Sequence, residues 1–219
     1  MKKLNIAVLV SGGGTNLQAL IDNEISENAR ATSADDGCCY RIVCVISSTK
    51  NAYALERAQN AGIPTEIASP FSVMGAEVAK NADINAKRIA TSDKILELCH
   101  SYKADAIVLA GYLSVLTGKI VSEYKDRIIN LHPALLPKFG GVGMWGHNVH
   151  EAVLASGEKE SGCTIHLVDD GCDTGKILIQ KRVPVLPDDT PDTLYARIAP
   201  YEHEAIIEGV KWLAANTAC

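Results

Sequence analysis

Three short stretches of this chain carry residue types that could do chemistry. Asn130 and His132 lie two apart at the end of an apolar run, IINLH, so on a strand they share one face. A carboxamide N–H can donate to an oxygen gaining negative charge, and an imidazole can move a proton near neutral pH. Pro133 restricts the backbone of His132 to extended conformations and helps to fix its direction. The plain alternative is a strand-end histidine satisfied by a backbone partner. The second stretch, VDDGCDTG, offers Asp169, Asp170 and Asp173. A carboxylate beside an imidazole raises its pKa and orients the ring. Spacing does not choose among the three, and solvated turn residues are the bland reading. The third stretch is Ser11-Gly12-Gly13-Gly14-Thr15-Asn16. Glycines let backbone amides approach an anion closely, and a following helix N-terminus adds a favourable dipole. The ligand this predicts is a phosphate monoester. A dinucleotide fingerprint fails because Leu17 stands at the third glycine position, and a phosphate loop of the Walker type fails for want of Gly-Lys-Ser/Thr. The competing reading is a tight turn with Thr15 as N-cap.

The remaining candidates have simpler explanations. His147 and His150 have a spacing compatible with a metal, but no third ligand is evident and an amphipathic helix explains both. His166 alternates within a strand-like run and reads as structural, His100 as a helix-end residue, and Trp145 and Trp212 as packing. Glu202 falls within a helical stretch, where a surface position is the default and a ligand contact the alternative.

These stretches need a scaffold, and the chain supplies a βαβα rhythm. Strand-like runs over 6–10, 40–46, 63–68, 106–109 and 128–131 alternate with helical patterns over 16–23, 52–61, 74–102 and 118–124. Residues 24–39 are polar and read as loop or frayed extension. After His132 the rhythm changes: 133–146 is rich in Pro and Gly, 147–156 is helical, and 162–168 and 177–185 are strand-like. Thr190-Pro191 is a good helix start, and the helix is expected to run to about Leu213. The predicted class is α/β: an open, mostly parallel twisted sheet with helices on both faces and antiparallel strands at the C-terminal edge. In such sheets ligands bind beyond the carboxyl ends of the strands, where the three stretches above all fall.

Composition narrows the partners. The chain has 219 residues, 47% of them hydrophobic, with 21 basic against 26 acidic side chains and a formal charge of −5. One domain of this size buries roughly 70% of its unfolded surface without metal or disulfide staples. The acidic balance disfavours nucleic acid or an anionic membrane as main partner. No run reaches the roughly 18 apolar residues of a membrane helix, and Leu4 to Val10 is too short and glycine-stopped for a signal peptide. Seven cysteines without a CxxC pair suit reduced thiols in a cytoplasmic protein with no zinc.

SGGGTNLQALID, LAGYLSVL, NLHPALLPKFGG, HEAVLASGEKESGCTIHLVDDGCDTGKILIQ and YEHEAI together resemble the phosphoribosylglycinamide formyltransferases, folate-dependent enzymes of purine synthesis. The resemblance runs nearly from end to end and is weakest over 24–40 and 69–86. It implies a Rossmann-like formyltransferase fold in one domain, with residues 1–110 the nucleotide-phosphate half and 111–219 the folate-binding and catalytic half. It implies 10-formyltetrahydrofolate as co-substrate, glycinamide ribonucleotide as acceptor, no metal, and a monomer or homodimer. By the resemblance Asn130, His132 and Asp173 are the catalytic trio; Gly14, Thr15 and Asn16 hold the substrate phosphate; Glu202 contacts the ribonucleotide. Leu113, Ser114, Val115 and Leu116, with Asn130, Asp169, Asp170, Gly171, Cys172 and Asp173, form the folate wall, and Arg88 matches an arginine on the folate. The chain departs from the family pattern at Lys176, usually Pro, at Ala199, polar in some members, at Ser114, and in the glycine-rich segment 140–147. Methionyl-tRNA formyltransferase is expected to be longer, with an RNA-binding domain, and formyltetrahydrofolate hydrolase to carry an extra N-terminal domain. A non-catalytic nucleotide-binding module would give no reason for Asn130, His132 and Asp173 to coincide.

Overall fold

The computed structural model describes residues 3–33 and 37–217. Its strands are β1 (Leu4–Val10), β2 (Tyr40–Ser47), β3 (Thr65–Ile67), β4 (Ala106–Leu109), β5 (Ile128–His132), β6 (Glu160–Leu167) and β7 (Ile177–Pro184). They form one sheet in the order β3-β2-β1-β4-β5-β6-β7. The first five are mutually parallel; β6 runs antiparallel to β5, and β7 antiparallel to β6. The chain thus steps outward from β1 to β3, then returns to lay β4 against the other side of β1. That reversal opens a crevice at the carboxyl ends of β1 and β4.

Helices cover both faces, and the alternation of strand side chains feeds both. Ile6, Val8 and Val10 of β1 join one core, while Ala7 and Leu9 join the other. The first core packs against α1 (Thr15–Arg30), α2 (Tyr53–Asn60), α7 (His147–Ala155) and α8 (Pro191–Asn216). The second lies under α5 (Ile84–Ser101) and α6 (Lys119–Glu123). The α8 start is built as its sequence suggests: Thr190 and Thr193 form a reciprocal capping box ahead of Pro191.

Three expectations are refined. Residues 24–30 continue α1 instead of forming loop; polar anchors hold this exposed extension, with Glu24 accepting from the Ile42 amide and Tyr40 donating to Leu20 and Asn23. The stretch 31–33 and 37–39 is non-helical, and residues 34–36 lie outside the described residues. The stretch 74–102 is mostly helical as expected, but it is divided into the last residue of α3 (Pro70–Met74), α4 (Ala76–Asn81) and α5, with breaks at Gly75 and at the Asp83 cap. Thr15 is not a cap: α1 begins on it, and Gly14 is the capping residue, with φ +73° and no side-chain bond.

Candidate active site

A cavity of about 620 Å³ opens at the sheet reversal. Its floor is the end of β5. Asn130 pairs in register with Leu109 on β4 and, across the antiparallel ladder, with His166 on β6. Directly opposed residues share a face, so His166 meets Asn130: the Asn130 Nδ2 to His166 Nε2 distance is 3.0 Å. His166 Nδ1 donates to the Leu167 carbonyl at 2.8 Å, which leaves Nε2 to accept from the carboxamide. His166, read from the sequence as structural, is therefore a member of the polar cluster. The only hint in the sequence was a polar residue within an otherwise apolar run.

Asp173 reaches the same cluster from the loop between β6 and β7. Its φ of +58° turns the chain inward. Oδ1 accepts from Asn130 Nδ2 at 3.4 Å and lies 3.5 Å from His166 Nε2. Oδ2 accepts from the Gly141 amide at 3.0 Å and lies 3.5 Å from His132 Nδ1. A Cβ on Gly140 would fall 2.5 Å from Leu136 Cδ2 and 3.1 Å from Asp173 Cβ, so glycine is what lets the two loops touch. Burial pushes the Asp173 carboxyl up, but the neighbouring His166 and His132 rings and the Gly141 amide outweigh it and hold the group below the ordinary range. Burial pushes His132 down, more than Asp173 and the Phe139 carbonyl pull it up. His132 Nε2 donates to that carbonyl at 2.6 Å, so the neutral ring presents Nδ1 toward Asp173.

At the other end of the cavity the glycine loop runs from β1 into α1. Gly12, Gly13, Gly14, Thr15 and Asn16 all line it. Gly14 permits a close approach: a Cβ there would lie 2.6 Å from the Ala54 Cβ. Beside the loop, Glu202 of α8 is buried and its Oε2 accepts from Asn16 Nδ2 at 3.1 Å. Burial raises this carboxyl above its ordinary value, and the Asn16 bond only partly opposes that. The Asn16 Oδ1 is buried with no partner among the described residues, leaving an acceptor beside the cavity.

The third wall joins these ends. Leu113, Ser114, Val115 and Leu116 follow β4, Arg88 comes from α5, and Asp169, Gly171 and Cys172 lie along the β6–β7 loop; all line the cavity. Asp170 does not, and points from the exposed tip of that turn. Asp169 shapes the turn, its Oδ1 accepting from the Gly171 amide and Thr174 Oγ1. The Lys176 carbonyl accepts from Leu167 N–H at 2.9 Å, so the turn closes through backbone whatever that side chain is.

Sequence reasoning missed part of the rim. Trp145, expected to pack, is 52% exposed and lines the cavity from the glycine-rich segment. His150 also lines it, buried against Tyr195, with Nδ1 unpartnered among the described residues. Burial, with the neighbouring His147 and His132, pushes His150 down to about 4. His147 also lines the cavity and pairs with Asp192 there at 2.9 Å. Among the described residues no three His, Cys, Asp or Glu side chains group to hold a metal.

A family model described as "Formyl transferase" matches residues 4–210. The chain belongs to the formyl transferase family. Within this family it is 40% identical, over 99% of its length, to the trifunctional purine biosynthetic protein adenosine-3 of Drosophila melanogaster, but it spans only 14% of that relative's length. It is 35% identical to the phosphoribosylglycinamide formyltransferase of Escherichia coli (strain K12), covering 96% of this chain and 87% of the relative. Among solved structures it resembles glycinamide ribonucleotide transformylase 1 from Symbiobacterium toebii, with a TM-score of 0.80 and 33% identity over 97% of this chain and 88% of the other. In this family member no helix among the described residues is long and apolar enough to cross a membrane.

Proposed function

We propose that the chain transfers the formyl group of 10-formyltetrahydrofolate to the amine of N1-(5-phospho-D-ribosyl)glycinamide, with residues 1–219 acting as one formyltransferase domain. The observation that carries this reading is a single cavity with an anion-suited glycine loop at one end and the Asn130, His132, His166 and Asp173 cluster at the other. The loop amides and Glu202 take the phosphate and ribose of the acceptor. Leu113 to Leu116, Arg88 and the β6–β7 loop take the folate, so that the two reacting groups meet over β5.

The acceptor amine attacks the formyl carbon directly. Asn130 donates to the carbonyl oxygen as it gains charge, exchanging its 3.4 Å contact with Asp173 for a shorter bond to that oxygen. His166 keeps the carboxamide oriented through the 3.0 Å contact. A proton released by the amine is taken up at His132 beside Asp173, whose charge favours the imidazolium, and then passes to the departing N10. No acyl-enzyme is needed: the C–N bond to the acceptor forms as the bond to N10 breaks. Burial raises the Cys163 and Cys172 thiols, which makes both poor nucleophiles. Alignment of two bound molecules can supply ~7–11 kcal/mol in favourable cases.

A steady-state assay with each substrate omitted in turn tests this. Formyl folate consumption that requires the ribonucleotide is the expected result; consumption in its absence would mean hydrolysis instead.

A further inference from the structure

A loop that binds an anion through its amides must also dispose of its carbonyls, which repel negative charge. Each carbonyl of the glycine loop is turned onto a donor. Gly12 accepts from the Ala54 amide at 3.1 Å, in the first turn of α2, and Gly14 accepts from the Gln18 amide at 2.9 Å. The central carbonyl, that of Gly13, is taken by a side chain: Arg57 Nε donates to it at 2.8 Å.

The Arg57 fork is pinned at two more points. Nη1 donates to Gln18 Oε1 at 3.1 Å, and the guanidinium lies 4.9 Å from the centre of the Tyr53 ring, one helical turn earlier on α2. One planar group therefore ties the middle of the loop to the start of α1. Arg57 stands behind the loop, whereas the cavity is lined by Gly12, Gly13 and Gly14. The amides of Gly13 and Gly14 have no partner among the described residues.

We infer that Arg57 is a positioning residue for the anion loop: by holding the Gly13 carbonyl against α2 it keeps the loop amides turned to the cavity, and so sets affinity for the phosphate without touching it. This rests on the ribonucleotide reading given above. Lysine cannot replace it, because a compact ammonium lacks the rigid spacing that serves Gly13 O and Gln18 Oε1 together.

The test compares Arg57→Met and Arg57→Lys in the full chain, varying each substrate and using inorganic phosphate as competitor. In Arg57→Met the ribonucleotide KM and the phosphate inhibition constant both rise about tenfold, while kcat and the folate KM stay within about twofold. Arg57→Lys remains at least about threefold above wild type on the same two constants. General loss of stability does not produce such a split. An unchanged ribonucleotide KM in Arg57→Met overturns the inference, and so does full recovery in Arg57→Lys, which would make charge rather than the fork the cause. If Arg57→Met fails to fold, Arg57→Lys decides alone by the same constants. Wild-type turnover that phosphate does not compete against the ribonucleotide overturns the substrate reading as well; competition in wild type with no change in the variants overturns the Arg57 inference alone.

Discussion

The two ends of the cavity are built from different materials. At the β1 end the glycine loop lines the cavity mainly with main chain, joined by the Asn16 and Glu202 side chains, while Arg57 holds the loop from behind. At the β5 end the working groups are side chains, and each is the other's hydrogen-bond partner: Asn130 on His166 and Asp173, and Asp173 beside His132 and on Gly141. A backbone site is indifferent to side-chain chemistry but intolerant of added atoms. A side-chain site has the opposite sensitivity, since removing one partner strands the others in a buried setting.

The sharpest way to break this contrast is Asn130→Ala. Loss of an oxyanion donor typically costs about 10²–10³ in rate, and kcat is expected to fall by at least that order while thermal unfolding stays cooperative. Near-normal turnover in a folded variant would remove the side-chain end from the chemistry.

Between the two ends, His150 offers a pH test. Its value in the fold is about 4, against an ordinary 6.5 in the unfolded chain. As pH falls below about 6.5 the unfolded chain takes up the proton first, so stability present above that pH is progressively lost down to about 4. The depressed His132 acts in the same direction, whereas the raised Glu202 opposes, its buried carboxylate being neutralised as pH falls. The His150 share is on the order of 3 kcal/mol. From pH 7 to 4 the melting temperature of wild type should fall relative to that of His150→Phe, and parallel curves would refute the assignment.

At the backbone end, Gly14→Ala puts a Cβ against Ala54 at φ +73°. It is expected to destabilise by about 1–3 kcal/mol and to raise the ribonucleotide KM more than it lowers kcat. A silent Gly14→Ala would mean that the loop has room the contrast denies it. The smallest effect belongs to Asp170→Ala: at an exposed turn tip off the cavity, it should change stability by less than about 0.5 kcal/mol and leave initial rates unchanged.

Much of the architecture was legible from local pattern. The apolar runs of β1, β4 and β5, the Thr190-Pro191 start of α8 and the antiparallel C-terminal pair follow from periodicity and capping chemistry that act within a few residues. The extension of α1 was not, because residues 24–30 are polar and are held by partners on β2 and α8, such as Lys211 on Glu27. The neighbours of His166 and His150 were not legible for a related reason. Each looks like an ordinary buried residue of its own element, and only cross-strand register or helix packing shows what it faces.

Sequence alone determined which residue types were available for the chemistry and that they stand at strand ends, since alternation and turn chemistry are local properties. Spacing left Asp169, Asp170 and Asp173 open and the family resemblance pointed to Asp173, but the physical reason lies in the folded chain: a left-handed residue and a side-chain-free Gly140 bring Asp173 into contact with both histidines. The meeting of Asp173 with His132, and of His166 with Asn130, joins segments more than thirty residues apart, and no local rule carries that information.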